Sequence, residues 1–163
     1  MRTLVLMRHA KSGYPDGVAD HDRPLAPRGE REAALAGEWL REHVPAIDAV
    51  LCSSAVRTRQ TLASTMIEAP TSYLDALYGA SPGTMIKQIS GMADEVTTLL
   101  VVGHEPTISQ VALGLAAPAS DRQAVARITE KFPTSGIAVL RVPVGWTGLG
   151  LGGAELLTFH VPR

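Results

Sequence analysis

The chain has 163 residues, 45% of them hydrophobic and 19% charged, with a formal net charge of −1 and a pI near 6.5. That length supports one well-buried domain and not comfortably two, and so near-neutral a balance excludes the broad basic field of non-specific nucleic-acid or membrane-surface binders. A single cysteine, Cys52, excludes an intrachain disulfide framework and points to a reducing compartment.

Only Met1-Arg2-Thr3 precedes the first apolar run, and no run approaches the length of a membrane span. The expectation is a cytoplasmic protein, one domain over residues 1–163, with neither a nucleic-acid nor a membrane partner. Its oligomeric state is not written in these features.

The first strand is expected at Leu4–Met7, and it delivers Arg8-His9-Ala10-Lys11-Ser12 to its C-terminal end. From Gly29 to His43 the residues Ala33, Ala34, Leu35, Trp39 and Leu40 fall on helical spacing, with Glu and Arg on the other face. Ala49–Cys52 reads as a second strand, followed by Ser53-Ser54-Ala55-Val56-Arg57-Thr58 and a helix from Val56 to Ile67. A third helix is expected over Gly83–Met92. Thr97–Val102 reads as another strand, running into Gly103-His104-Glu105-Pro106 and a helix over Ile108–Leu115. Ala116–Ser120 reads as a surface loop.

The last quarter differs. Gly136–Val142 and Glu155–Val161 are strand candidates with no helix between them, joined by the glycine-rich stretch Gly145–Gly153. They are expected at one edge of the sheet, antiparallel to each other. Trp39 is expected to pack its helix on the sheet, and Trp146 to be an exposed contact or a cap over the edge strands. The non-alternating strands belong to a sheet covered on both faces. The fold class is therefore α/β, a three-layer α/β/α arrangement with a mainly parallel sheet.

In such sheets ligands bind beyond the carboxyl ends of the strands. Arg8, His9, Arg57 and His104 all fall there. Guanidinium forks match phosphate oxygens and stay charged, and helix starts near Ala55 and Pro106 add N–H donors. A neutral imidazole can attack phosphorus near pH 7, while a second can donate to the transferring oxygens. A metal is not expected: His9, His21, Asp22 and His104 match no compact ligand spacing, and the neighbouring arginines would repel a cation. Cys52 lacks the Cys-x5-Arg loop of cysteine phosphatases, because residue 58 is Thr58.

Met7-Arg8-His9-Ala10-Lys11-Ser12 resembles the Arg-His signature of the histidine phosphatase superfamily, the phosphoglycerate-mutase-like group. Arg23-Pro24-Leu25 with Arg28-Gly29, Cys52-Ser53-Ser54-Ala55-Val56-Arg57-Thr58-Arg59-Gln60-Thr61 and Val102-Gly103-His104-Glu105-Pro106 are similar to its further motifs, in order. Short length and the Arg-Pro-Leu segment favour the small SixA-like phosphohistidine phosphatase branch. The resemblance implies that His9 becomes a transient phosphohistidine, that Arg8, Arg57 and His104 complete the phosphate pocket, and that no cofactor is needed. Ser12 suits either a phosphate contact or a cap on nearby backbone.

Asp75, in Tyr73-Leu74-Asp75-Ala76-Leu77-Tyr78-Gly79, is either the proton donor to the leaving group or a turn aspartate. Glu105 is a second candidate that a helix start can also engage. Arg23 fits a structural role best, and Arg59 a surface one. The expected substrate is a phosphorylated protein, with phosphohistidine first and a small phosphomonoester next. A phosphoglycerate-type mutase and a non-catalytic phosphate-binding module are the rivals.

Overall fold

The computed structural model describes residues 1–163. Its elements are β1 (Arg2–Arg8), α1 (Pro27–His43), β2 (Ala49–Ser53), α2 (Val56–Thr65), β3 (Thr71–Leu74), α3 (Pro82–Ser90), β4 (Thr98–Gly103), α4 (Thr107–Leu115), α5 (Arg122–Glu130), β5 (Ile137–Val142) and β6 (Glu155–His160). One sheet holds all six strands in the order β3-β2-β4-β1-β5-β6. β1 pairs parallel with β4, β4 with β2, and β2 with β3, whereas β5 runs antiparallel to both β1 and β6. This is the expected mainly parallel sheet with antiparallel strands at one edge.

Alternation within β1 explains the two cores. Leu4 and Leu6 point to one face and join Met85 and Ile89 of α3, Ile108 and Val111 of α4, and Ile128 of α5. Val5 and Met7 point to the other and meet Ala36 and Leu40 of α1 and Leu62 of α2. All four β1 residues are completely buried, each stabilising the fold by about 1.5–3 kcal/mol relative to exposure. Both faces are apolar because both are covered, so the strand reads as an unbroken run.

Element ends follow local chemistry. α1 begins at Pro27, whose missing N–H costs nothing in a first turn. α2 stops where Met66 turns left-handed at φ 61°. α5 is capped by Asp121, whose side chain accepts from the Ala124 N–H.

Three features differ from expectation. β3 has no apolar run, because it is an edge strand with Tyr73 exposed. α5 buries only Ala124 and Ile128, a stripe too thin to read as helical periodicity. Trp146 is neither an exposed contact nor a cap: it is fully buried, and its indole Nε1–H donates to the Val96 carbonyl. Trp39 does pack against the core on the α1 side, with its ring stacked on both His43 and His160.

α1 and α2 pack side by side over one face, and Gly37 makes the close approach. A Cβ there would lie 2.1 Å from the Thr65 carbonyl oxygen, a backbone atom that cannot swing away. Gly37→Ala is therefore expected to destabilise the protein by about 1–3 kcal/mol through overpacking, despite alanine's higher helix propensity. Denaturant unfolding of the two proteins checks the sign.

Candidate active site

Strand pairing places the site. Arg8 is in register with Gly103, and Cys52 with Val102, so β1, β4 and β2 end level and side by side. Their outgoing loops meet at one edge.

His9 is held by its backbone as well as its ring. Its N–H donates to the Gly103 carbonyl, and its own carbonyl accepts from the Ser135 N–H. Next to it the Ala10 N–H donates to Thr61 Oγ1, which itself donates to the Arg57 carbonyl. The nucleophile candidate is thus tied to β4, to the segment before β5, and to α2.

The ring chemistry follows from hydrogen bonds. His9 Nδ1 lies 2.7 Å from the Ala10 carbonyl oxygen, which only accepts, so Nδ1 carries the proton and Nε2 keeps its lone pair. Burial pushes the His9 pKa down to about 3, partly offset by that bond and reinforced by His104, Arg57 and Arg8. The ring is therefore neutral across the physiological range. His104 Nε2 lies 2.8 Å from Ser53 Oγ, and that hydroxyl also accepts from the Ala55 N–H. Burial, helped by Arg57, takes the His104 pKa down to about 4. The two rings stand 5.3 Å apart.

Arg8, His9, Arg57 and His104 line one concave polar pocket of about 580 Å³. Arg8 Nε, Arg57 Nε and His104 Nδ1 are all buried without a partner. Buried donors left unpaired cost of order 1–3 kcal/mol each, and the two guanidinium Nε–H groups beside one pocket suit an anion. Ser12 lines the pocket too, with its hydroxyl accepting from Arg23 Nη1 at 2.7 Å. Arg23 lines it as well, so its place is more central than a purely structural arginine's.

Neither carboxylate stands free. Asp75 lies outside the pocket lining and accepts from Ser54 Oγ at 2.5 Å. Glu105 lines the pocket while its Oε1 accepts from the Ser109 N–H, the engagement expected of a residue at a helix start. Arg59 is away from the pocket, stacked on Tyr73. Cys52 is completely buried, with burial pushing its thiol up to about 12, so it supplies no thiolate.

Sequence reasoning did not single out Asp20, Ser53 or Tyr78. Asp20 accepts from Arg57, Arg23 and Tyr78 together. Only the i,i+3 spacing of Asp20 and Arg23 hinted at it. A larger groove of about 660 Å³ lies between the C-terminal ends of α1 and α2, but it is mostly apolar and holds no nucleophile. No three metal-ligating side chains come together, and no helix is long and apolar enough to cross a membrane.

Residues 4–85 match the family model of the histidine phosphatase superfamily (branch 1). The chain belongs to that superfamily. An uncharacterised protein of Mycobacterium tuberculosis (strain H37Rv) is 65% identical over 158 residues, spanning 96% of this chain and all of that protein. Among solved structures, a candidate phosphohistidine phosphatase SixA from Nakamurella multipartitia superposes with TM-score 0.91 at 43% identity, covering 99% of this chain and 96% of that one. A counterpart from Agrobacterium tumefaciens gives 0.81 at 28% identity, covering 99% of each. The fold is that of the phosphoglycerate-mutase-like histidine phosphatases, and membership with these relatives supports a hydrolase of phosphoryl groups.

The buried histidines make stability depend on pH. A histidine with a lowered folded pKa binds fewer protons folded than unfolded, so stability rises with pH between the two values. For His9 the window runs from about 3 to the ordinary 6.5, with a slope of about 1.4 kcal/mol per pH unit inside it. Unfolding free energy is expected to fall as pH drops from 7 towards 4. Denaturant titrations across that range should give His9→Ala a slope shallower by up to one proton.

Proposed function

We propose that this protein is a phosphatase that works through a covalent phosphohistidine on His9, and that protein phosphohistidine is its substrate. The observation that carries the reading is one polar pocket that gathers His9, whose Nε2 keeps its lone pair, with His104, Arg8 and Arg57.

In the first step His9 Nε2 attacks phosphorus, and the bond from phosphorus to the leaving nitrogen or oxygen breaks. Arg8, Arg57 and His104 spread the charge on the three equatorial oxygens, and Ser12 steadies Arg23 at the same pocket. In the second step water attacks the phosphohistidine, the P–Nε2 bond breaks, and His9 returns to its starting tautomer. Neither step draws on a metal or an organic cofactor.

The leaving group needs a proton. Phosphohistidine takes a proton from water on its free ring nitrogen and leaves as neutral imidazole, which suits a site whose carboxylates are engaged elsewhere. An alkoxide leaving group is a poorer one and would need Asp75 or Glu105 released from its partner. That difference favours the phosphoramidate over the small phosphomonoester. The SixA description of the Nakamurella and Agrobacterium relatives supports the same substrate. The lone Cys52 supports a reducing compartment, and with it a cytoplasmic enzyme acting as one domain.

A radiolabelled phosphodonor tests the mechanism after a quench that avoids acid. Wild type is expected to carry acid-labile, alkali-stable label and to release phosphate equal to the substrate consumed, and His9→Ala to carry none. Arg57→Ala should lower kcat/KM by about 10²- to 10³-fold. Label returned to a second hydroxyl in place of free phosphate would favour the mutase. Phosphate binding that survives in His9→Ala, with no wild-type turnover on any donor, would favour the binding module.

A further inference from the structure

A carboxylate beside a phosphate pocket ought to repel what the pocket binds, yet Asp20 stands against Arg57. It belongs to a short 3-10 turn, Asp20–Asp22, in the loop between β1 and α1. Arg57 Nη1 donates to the Asp20 backbone carbonyl at 2.8 Å, and Nη2 to Asp20 Oδ2 at 3.2 Å. The same Oδ2 accepts from the Tyr78 hydroxyl at 2.5 Å, and Oδ1 from Arg23 Nε at 3.0 Å.

A guanidinium has two kinds of edge that grip an oxyanion with two N–H bonds: the end, Nη1 with Nη2, and the side, Nε with one Nη. Asp20 takes one hydrogen from each nitrogen of the end edge of Arg57. The side edge is left, and its Nε–H is buried without a partner. Arg57 itself is 6% exposed, so it has little freedom to turn the other way.

Asp20 is held in turn. Tyr78 lies against His21 with ring centroids 4.8 Å apart, and His21 Nε2 donates to Ser54 Oγ, which donates to Asp75. Two bridges, Asp20 to Tyr78 and His21 through Ser54 to Asp75, thus fasten this turn to the segment after β3. The bonds from Tyr78, Arg23 and Arg57 keep the Asp20 carboxyl well below the usual carboxylate range. It stays ionised and is no proton donor at neutral pH.

We propose that Asp20 is a positioning residue: its carboxylate and carbonyl clamp the end edge of Arg57 so that the side edge faces the phosphoryl group. The inference rests on the reading of this pocket as a phosphoryl site. It differs from a simple latch, in which Asp20 would be a rival anion that substrate displaces. Under the clamp, removing the carboxylate weakens phosphate; under the latch, it tightens phosphate.

The test titrates inorganic phosphate into the full-length protein by calorimetry, beside kcat and KM on an aryl phosphate. Asp20→Ala is expected to bind phosphate about 10- to 100-fold more weakly, the range of a lost charged hydrogen bond. Asp20→Asn keeps an oxygen for Nη2 and should recover most of that loss. Tyr78→Phe removes one holder and should show a smaller loss in the same direction, which keeps the proposal decidable if Asp20→Ala does not fold. Phosphate bound equally or more tightly by Asp20→Ala, or by Tyr78→Phe where Asp20→Ala does not fold, overturns the clamp while leaving the phosphoryl site standing. Wild type that binds no phosphate and turns over no donor overturns the site, and the clamp with it.

Discussion

The structure depends on the level, parallel ending of β1, β4 and β2. Because Arg8 pairs with Gly103 and Cys52 with Val102, residues fifty or more positions apart arrive at one edge with no loop spanning the gap. The same hydrogen-bond ladder extends one residue past the strand to hold His9, through Gly103 on one side and Ser135 on the other. A group that attacks at fixed distance needs such backbone restraint, since a misplacement of about 1 Å costs roughly a hundredfold in rate. Under the proposed mechanism, the sheet is thus part of the catalytic geometry as well as the source of the core.

The electrostatics run against stability and towards the anion. Two guanidiniums and two imidazoles share a buried pocket, and His9 and His104 respond by staying neutral. Burial likewise lowers the Arg8 pKa, an effect that Glu105 and Tyr14 oppose, and Asp20 screens Arg57. Even so, the buried Nε–H groups of Arg8 and Arg57 keep no partner. On the proposed reading, a phosphoryl group would satisfy these donors, so part of the folding penalty would return as binding free energy. Sites of this kind are expected where local consistency is given up for function.

The sheet and the convergent quartet were legible in the sequence because each rests on a local signal. An apolar run marks a buried strand, and a cation or histidine just after it marks a strand end. β3 and α5 gave no such signal, one being a half-exposed edge strand and the other burying two residues. Trp146 misled because its glycine-rich neighbours read as exposed loop, although the chain folds the indole inwards to reach Val96. Asp20 and Tyr78 were invisible for another reason. They lie 58 positions apart, and what they do depends on a loop folding back over the sheet edge, which no periodicity records. Asp75 was noticed for its carboxyl, whereas the structure gives that carboxyl a hydroxyl partner in Ser54.

The mouth of the pocket carries the remaining logic of substrate choice. Tyr14 is 73% exposed, with Arg23 set over its ring at 4.2 Å, and Lys11 is exposed beside them. An aromatic face, a stacked guanidinium and a free ammonium form a rim that meets a flat ring and a peptide surface equally well. Lys11, Tyr14 and Arg23 all belong to the segment between β1 and α1 that Asp20 and His21 fasten. A transferase that keeps its phosphoryl group from water needs a closed site, and a hydrolase does not. Under the proposed mechanism, the same openness would let a phosphorylated side chain on the surface of a partner reach His9 and would admit the water that completes turnover.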